Sequence, residues 1–185
     1  VEVRCTMEPA ERMLYATAEP KERYRLAACS EQKFPVVTRI LNRHKGQPTL
    51  IIGAYLDQLE DIGRRLDVPV IEGKTRNTVR EKLFDQFRNG DINVLVVSKV
   101  ANFSIDLPEA AVAIQVSGTF GSRQEEAQRL GRLLRPKSDG GEAHFYSVVT
   151  RDSLDVDYAA HRQRFLAEQG YAYRIVDADD LIGPI

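Results

Sequence analysis

Thr49-Leu50-Ile51-Ile52-Gly53 decides how the rest of the chain is read. It is a continuous apolar run, not an alternation of apolar and polar residues, and such a run suits a strand buried on both faces, as in a parallel sheet. Downstream, Asp57 to Leu66 has helical spacing with Leu59, Ile62 and Leu66 inward. Val68-Pro69-Val70-Ile71 reads as a short strand. Asn77 to Phe87 reads as a helix with Val79, Leu83, Phe84 and Phe87 on one face, and Asn89-Gly90 marks a turn. Ile92–Val97, Val112–Val116 and Ala143–Val149 repeat the buried-strand pattern. Asp152 to Gln169 is a helix with Gly170 as a fitting stop, and Tyr171 to Val176 offers a last strand. Upstream, Val1 to Cys5 alternates as a short strand. Glu8 to Ala28 is helical, broken or restarted at Pro20, with Met13, Leu14, Tyr15, Tyr24 and Leu26 as apolar candidates. Lys33 to His44 is helical with Phe34, Val37, Ile40 and Leu41.

Strands alternating with helices mean βαβ units, an α/β class and a parallel sheet with right-handed crossovers. In such sheets ligands sit beyond the carboxyl ends of the strands. The division expected is an N-terminal strand and helical entry over residues 1–46, a core over 47–150, and a C-terminal helix and strand over 151–185. The chain shows no internal repeat and no low-complexity stretch.

Composition narrows the function. The chain has 185 residues, 43% hydrophobic and 29% charged, which suits a globular domain. No apolar run approaches membrane length, and no signal peptide is expected. The first residue is Val1, which suggests a fragment or a processed chain. A net charge of −1 argues against strong unspecific DNA binding by these residues alone, although a local basic groove is compatible with it. Cys5 and Cys29 are too few for a metal site or a disulfide framework, and a reducing compartment follows. His44, His144 and His161 lack ligand spacing and read as ordinary histidines.

Gly73-Lys74-Thr75 follows a strand and precedes a helix, which invites a phosphate-loop reading. The position five residues before Gly73 is Val68, not glycine, and no full GxxxxGK[ST] and no DExx acidic box occur. These residues therefore do not build an ATPase centre by themselves.

Gly121-Ser122-Arg123-Gln124-Glu125-Glu126-Ala127-Gln128-Arg129-Leu130-Gly131-Arg132-Leu133-Leu134-Arg135-Pro136 is the stretch richest in chemistry. Ser122 with Glu125 has capping-box spacing, Glu125 and Glu126 suit the first turn, and Pro136 ends the helix. Gln128, Arg132 and Arg135 fall on one stripe, and Gly131 removes bulk beside two guanidinium groups. That suits close approach to a phosphate chain, and by spacing alone it equally suits a solvated basic helix end.

The residues Gln128 to Arg135 resemble motif VI (QxxGRxxR) of superfamily 2 helicases. The resemblance implies that Arg132 and Arg135 are fingers reaching the terminal phosphates of ATP, with Gln128 coupling that contact to a lobe interface and Gly131 lying at the ATP. Thr49–Gly53 with Ala54-Tyr55 resembles motif IV, which faces nucleic acid. Gly73 to Arg80 resembles the following motif, a Gly and then QxxR, with Thr75 inside it. Asn77 stands where the family has glutamine, and Arg80 keeps the arginine. Ser98-Lys99-Val100-Ala101-Asn102-Phe103-Ser104-Ile105-Asp106-Leu107-Pro108 resembles motif V. It implies nucleic-acid backbone contacts by Ser98 and Lys99 and a ribose contact by Asp106, with Ser104 departing from the usual glycine. The Asp-Leu-Pro-Glu-Ala turn and the Gly-Ser-Arg-Gln-Glu-Glu-Ala-Gln-Arg-Leu-Gly-Arg run are similar to the XPB (Rad25) family of DNA helicases, over about Val1 to Tyr173.

That resemblance implies the RecA-like three-layer αβα lobe that forms the second half of a motor, with a mainly parallel sheet. It implies an ATP-dependent 3′–5′ DNA helicase or translocase, in repair or transcription, inactive as this piece alone. ATP and Mg2+ would be held mainly by a first lobe, and single-stranded DNA would be gripped by Tyr55, Thr75, Arg80, Ser98 and Lys99. The partners implied are DNA, a first RecA-like lobe of the same polypeptide, and a nuclease or a repair or transcription factor, with no membrane. The compartment implied is the cytoplasm, at the nucleoid, for a prokaryotic chain, and the nucleus for a eukaryotic one. Two rivals are a stand-alone RecA-like module that binds nucleic acid or protein without catalysis, and a P-loop kinase or GTPase using Gly73-Lys74-Thr75.

Overall fold

The computed structural model of the chain describes residues 1–98, 108–118 and 141–182. The elements run β1 (Glu2–Cys5), α1 (Pro9–Thr17), α2 (Pro20–Ala28), α3 (Lys33–Arg43), β2 (Thr49–Gly53), α4 (Leu56–Leu66), β3 (Val70–Ile71), α5 (Asn77–Arg88), β4 (Val94–Ser98), β5 (Val112–Gln115), β6 (His144–Thr150), α6 (Leu154–Glu168), β7 (Ile175–Asp177) and a short 3-10 helix (Ala178–Ile182). The seven strands form one sheet in the order β3-β4-β2-β5-β6-β1-β7. Every pairing between them is parallel, so the sheet expected to be mainly parallel is parallel throughout the described residues.

The central run explains itself. Ile51 packs on one face with Val36, Val37, Ile40, Leu59, Ile62, Val96 and Ile114. Leu50 and Ile52 pack on the other with Phe84, Phe87, Leu95 and Val97. Because both faces are covered, a polar residue has no wet side to occupy, and β2 is buried along its whole length. Burying each such Leu or Ile is worth about 1.5–3 kcal/mol. Helices α3 and α4 cover the first face and α5 the second, which gives three layers. Helix α6 packs on β6 and on α2.

Several helical faces differ from their sequence reading. The segment Glu8 to Ala28 is two helices, and Pro20 is the first residue of the second, where its missing N–H costs nothing. Met13 and Leu14, read as apolar candidates, are 70% and 61% exposed. No residue of α1 is buried, and the contacts that tie it down are polar. Arg12 donates to the carbonyls of Arg151 and Asp152, and the Tyr15 hydroxyl accepts from the Leu154 N–H. The spacing puts Val79 on the inner face of α5, but it is 46% exposed. The buried row is Arg80, Phe84 and Phe87, at i, i+4 and i+7, and Val79 lies off that row. The last strand is Ile175–Asp177, beginning later than the expected Tyr171. Gly170 stops α6 at φ +85°, as its position suggested.

Candidate functional site at the carboxyl edge of the sheet

Since all pairings are parallel, the carboxyl ends of the strands share one edge. Gly53, Ser98, the Val116–Gly118 exit of β5 and Thr150 lie along it. Gly53 pairs with Ser98 across β2 and β4, and Thr150 pairs with Cys5 across β6 and β1. Val116 extends β5 beyond its last ladder residue by donating its N–H to the Ile52 carbonyl at 2.9 Å.

The turn after β2 is held close to that exit. The Ala54 N–H donates to Ser117 Oγ at 2.8 Å. A Cβ on Gly53 would stand 2.9 Å from both Ser117 Oγ and Leu59 Cδ2, so the close approach needs glycine. Tyr55 follows, half-buried, with the Arg25 guanidinium 5.3 Å over its ring and the Tyr24 ring 6.2 Å away. Arg25 is also ion-paired with Asp57. Tyr24 in turn meets Tyr158 edge-on at 4.3 Å. Burial, first, and the Asp155 carboxylate, second, hold the Tyr24 phenol well above its ordinary value, so it stays a donor.

Beneath this lies a buried ion pair. Lys33, the first residue of α3, and Asp155, in the first turn of α6, are each 1% exposed, with Lys33 Nζ 2.8 Å from Asp155 Oδ2. The same ammonium donates to the Val116 carbonyl at 2.5 Å. Asp155 Oδ2 also accepts the Thr150 N–H at 2.9 Å, and the Thr150 hydroxyl donates to the Ala27 carbonyl. Asp155 sits where the helix dipole favours a carboxylate, behind a Ser153 cap. The free Cys5 thiol borders the cluster and is raised by burial.

The sequence-derived residues divide. Tyr55 and Ser98 lie on the carboxyl edge, with Ser98 buried. Arg80 is 8% exposed and its Nη2 donates to the Glu72 carbonyl at 3.2 Å, while its Nε has no acceptor among the described residues. Thr75 Oγ1 accepts the Glu72 N–H at 2.9 Å, so the hydroxyl that a phosphate loop would need closes a turn instead. Lys74 is exposed. Lys99, Asp106, Gln128, Gly131, Arg132 and Arg135 lie outside the described residues. Lys33, Asp155 and Tyr24 fall in none of the sequence motifs. One signal was present: Lys33 lies at i−4 and i−7 from Val37 and Ile40, on the apolar stripe of α3, where a lysine is out of place unless paired.

Among the described residues no group of three or more His, Cys, Asp and Glu could hold a metal ion. These described residues do not fit Mg2+. Among them, too, no helix is long and apolar enough to cross a membrane.

This architecture is that of a RecA-like helicase C-terminal lobe. It matches the C-terminal domain of the DEAD-box protein Dbp5 with a TM-score of 0.72, over 98% of this chain and 92% of that one, at 17% identity, a likeness of fold alone. The chain belongs to the ERCC3/RAD25/XPB C-terminal helicase family, whose model matches residues 1–182. It is 70% identical over 184 residues to the DNA 3'-5' helicase XPB of Mycobacterium tuberculosis, covering 100% of this chain and 34% of that protein. It is 36% identical over 182 residues to the general transcription and DNA repair factor IIH helicase/translocase subunit XPB of Drosophila melanogaster, covering 95% of this chain and 23% of that protein. The chain thus spans about a third or less of the length of these relatives.

Proposed function

We propose that these residues act as the second motor lobe of an ATP-dependent 3′–5′ DNA helicase or translocase of the XPB type. The observation that carries the reading is the family match over residues 1–182, joined to a strand edge that gathers Tyr55, Ser98 and the exit leading to Gly121. Arg132 and Arg135 supply the donors that stabilise charge developing on the γ-phosphate of ATP held mainly by a first lobe, a role worth about 10³ to 10⁵ in rate. Gln128 couples that contact to the interface, Gly131 leaves room for it, and Asp106 takes the ribose. Mg2+ belongs with the first lobe.

On the DNA side, Tyr55, Thr75, Arg80, Ser98 and Lys99 contact the backbone of a single strand, which positions without reading sequence. The half-buried Tyr55 ring at the carboxyl edge supports such a contact. Thr75 has its hydroxyl oxygen engaged in the turn, so its O–H is the group available to a phosphate. The Mycobacterium relative's name supports the 3′–5′ activity and the Drosophila relative's name supports repair and transcription roles. The partners proposed are DNA, the first lobe, and a nuclease or a repair or transcription factor. The compartment is the cytoplasm in a prokaryote and the nucleus in a eukaryote.

The test is Arg132→Ala and Arg135→Ala in the full-length protein. DNA-stimulated ATPase is expected to fall by about 10³-fold or more with ATP binding retained. Near-parental turnover in both variants would remove the finger assignment.

A further inference from the structure

The exit of β5 is held by more groups than a surface loop of three residues requires. Lys33 Nζ, from the start of α3, donates to the Val116 carbonyl at 2.5 Å. Ser117 Oγ accepts the Ala54 N–H from the turn after β2 at 2.8 Å. The Tyr24 hydroxyl, from α2, donates to the Gly118 carbonyl at 2.5 Å. A Cβ at Gly118 would collide with the guanidinium of Arg162 from α6, so the backbone runs against that side chain without a gap. Four elements therefore converge on Val116–Gly118, and the strongest of the four is anchored in turn. Lys33 is paired with Asp155 at 2.8 Å, both 1% exposed, and Asp155 Oδ2 is fixed by the Thr150 N–H at the end of β6.

Burying an ammonium and a carboxylate is unfavourable unless the geometry compensates, and a lysine whose only task was solubility would sit in water. Here the ammonium is directed at a backbone carbonyl of the strand exit as well as at its carboxylate partner. Gly121, the first residue of the longer run that contains Gln128–Arg135, follows Gly118 by three residues in the sequence.

We infer that Lys33, Asp155 and Tyr24 are positioning residues: they clamp Val116–Gly118 and so fix the base from which Arg132 and Arg135 reach ATP. The inference rests on the finger assignment proposed above. The clamp acts at one remove, through the backbone, and touches no substrate. It also joins the two sides of the lobe's work, because Ser117, inside the clamped segment, accepts the Ala54 N–H of the turn that carries Tyr55.

The test uses the full-length protein with DNA present. In Lys33→Met/Asp155→Leu the pair is replaced by apolar residues of similar volume, which keeps the fold while removing the bond to the Val116 carbonyl. Expected is a folded protein with a modestly lowered melting temperature, because the Val116 carbonyl and the Thr150 N–H lose these bonds, together with a kcat for DNA-stimulated ATPase lowered roughly 10- to 100-fold and a KM for ATP within about twofold. Tyr24→Phe keeps the ring contacts and removes the hydroxyl; it should lower kcat about two- to tenfold with the same KM pattern. A folded double variant with parental kcat overturns the clamp. If the double variant does not fold, parental kcat in Tyr24→Phe overturns it instead. Arg132→Ala and Arg135→Ala run beside them separate the two readings. Loss of turnover in these with full turnover in the clamp variants removes only the clamp, whereas full turnover in the arginine variants removes the finger assignment on which it rests.

Discussion

The two edges of the sheet carry buried polar networks of opposite kind. At the carboxyl edge the network is charged: Lys33 and Asp155 face each other in the interior and are bonded to Val116 and Thr150. At the amino edge it is neutral. His44 Nε2 meets the Tyr146 hydroxyl at 2.7 Å, His44 Nδ1 meets Gln47 Oε1 at 3.2 Å, and the His144 ring lies 4.9 Å away. Burial first, and then the neighbouring His144, hold His44 below its ordinary value of 6.5, and Arg43 acts in the same direction. The difference teaches where function strains the fold. A neutral network is the inexpensive way to fasten the end of α3 to β6. A buried charged one is costly to assemble, and it lies on the edge where Tyr55, Ser98 and the exit toward Gly121 gather.

The largest effect expected is at the charged edge. Asp155→Ala leaves the Lys33 ammonium buried without its carboxylate and should cost about 3–5 kcal/mol, read as a lowered urea midpoint. If Asp155→Ala proved as stable as the parent, the charged network would be no more than the equal of the neutral one. The next effect is a pH dependence at the amino edge. The folded state binds a proton at His44 less readily than the unfolded state. Stability is therefore insensitive to His44 above pH about 6.5 and falls as the pH drops below it. Thermal melts in steps from pH 7 to about 5.5 should show this fall, and His44→Gln should flatten it. An unchanged slope in His44→Gln would assign the acid sensitivity to another group. The smallest effect is away from both edges. Arg164 and Glu168 form an exposed i,i+4 pair, with side chains 83% and 60% exposed at 3.2 Å. Arg164→Ala should change stability by no more than about 0.5 kcal/mol in the same urea titration. A loss as large as that of Asp155→Ala would erase the contrast between buried and solvated charge.

Much of this was legible in the residues. Apolar runs without alternation gave the buried strands, and Thr49–Gly53 is the strand the run predicts. Helical spacing located α3, α4, α5 and α6, because an amphipathic face repeats every three or four residues whatever it packs on. The faces of α1 and α5 were less legible. Met13, Leu14 and Val79 are apolar and regularly spaced, yet they stay exposed, since the sequence gives the stripe and not the neighbour that would cover it. Of the expected site, Tyr55 and Ser98 lie on the edge that parallel pairing predicts. The pairing of His44 with His144 was not foreseen, because residues 100 positions apart share no local spacing.

By itself, then, the sequence determined the class of fold and, through its motif wording, the family, both of which reside in local order along the chain. Only the tertiary structure decided that Lys33 is an interior residue. Its carboxylate is 122 residues away in sequence, its carbonyl 83, and both reach it only when α3, α6 and the end of β5 meet at one edge. A lysine is solvated by default, and nothing short of those partners, brought together by the sheet, makes its burial tolerable.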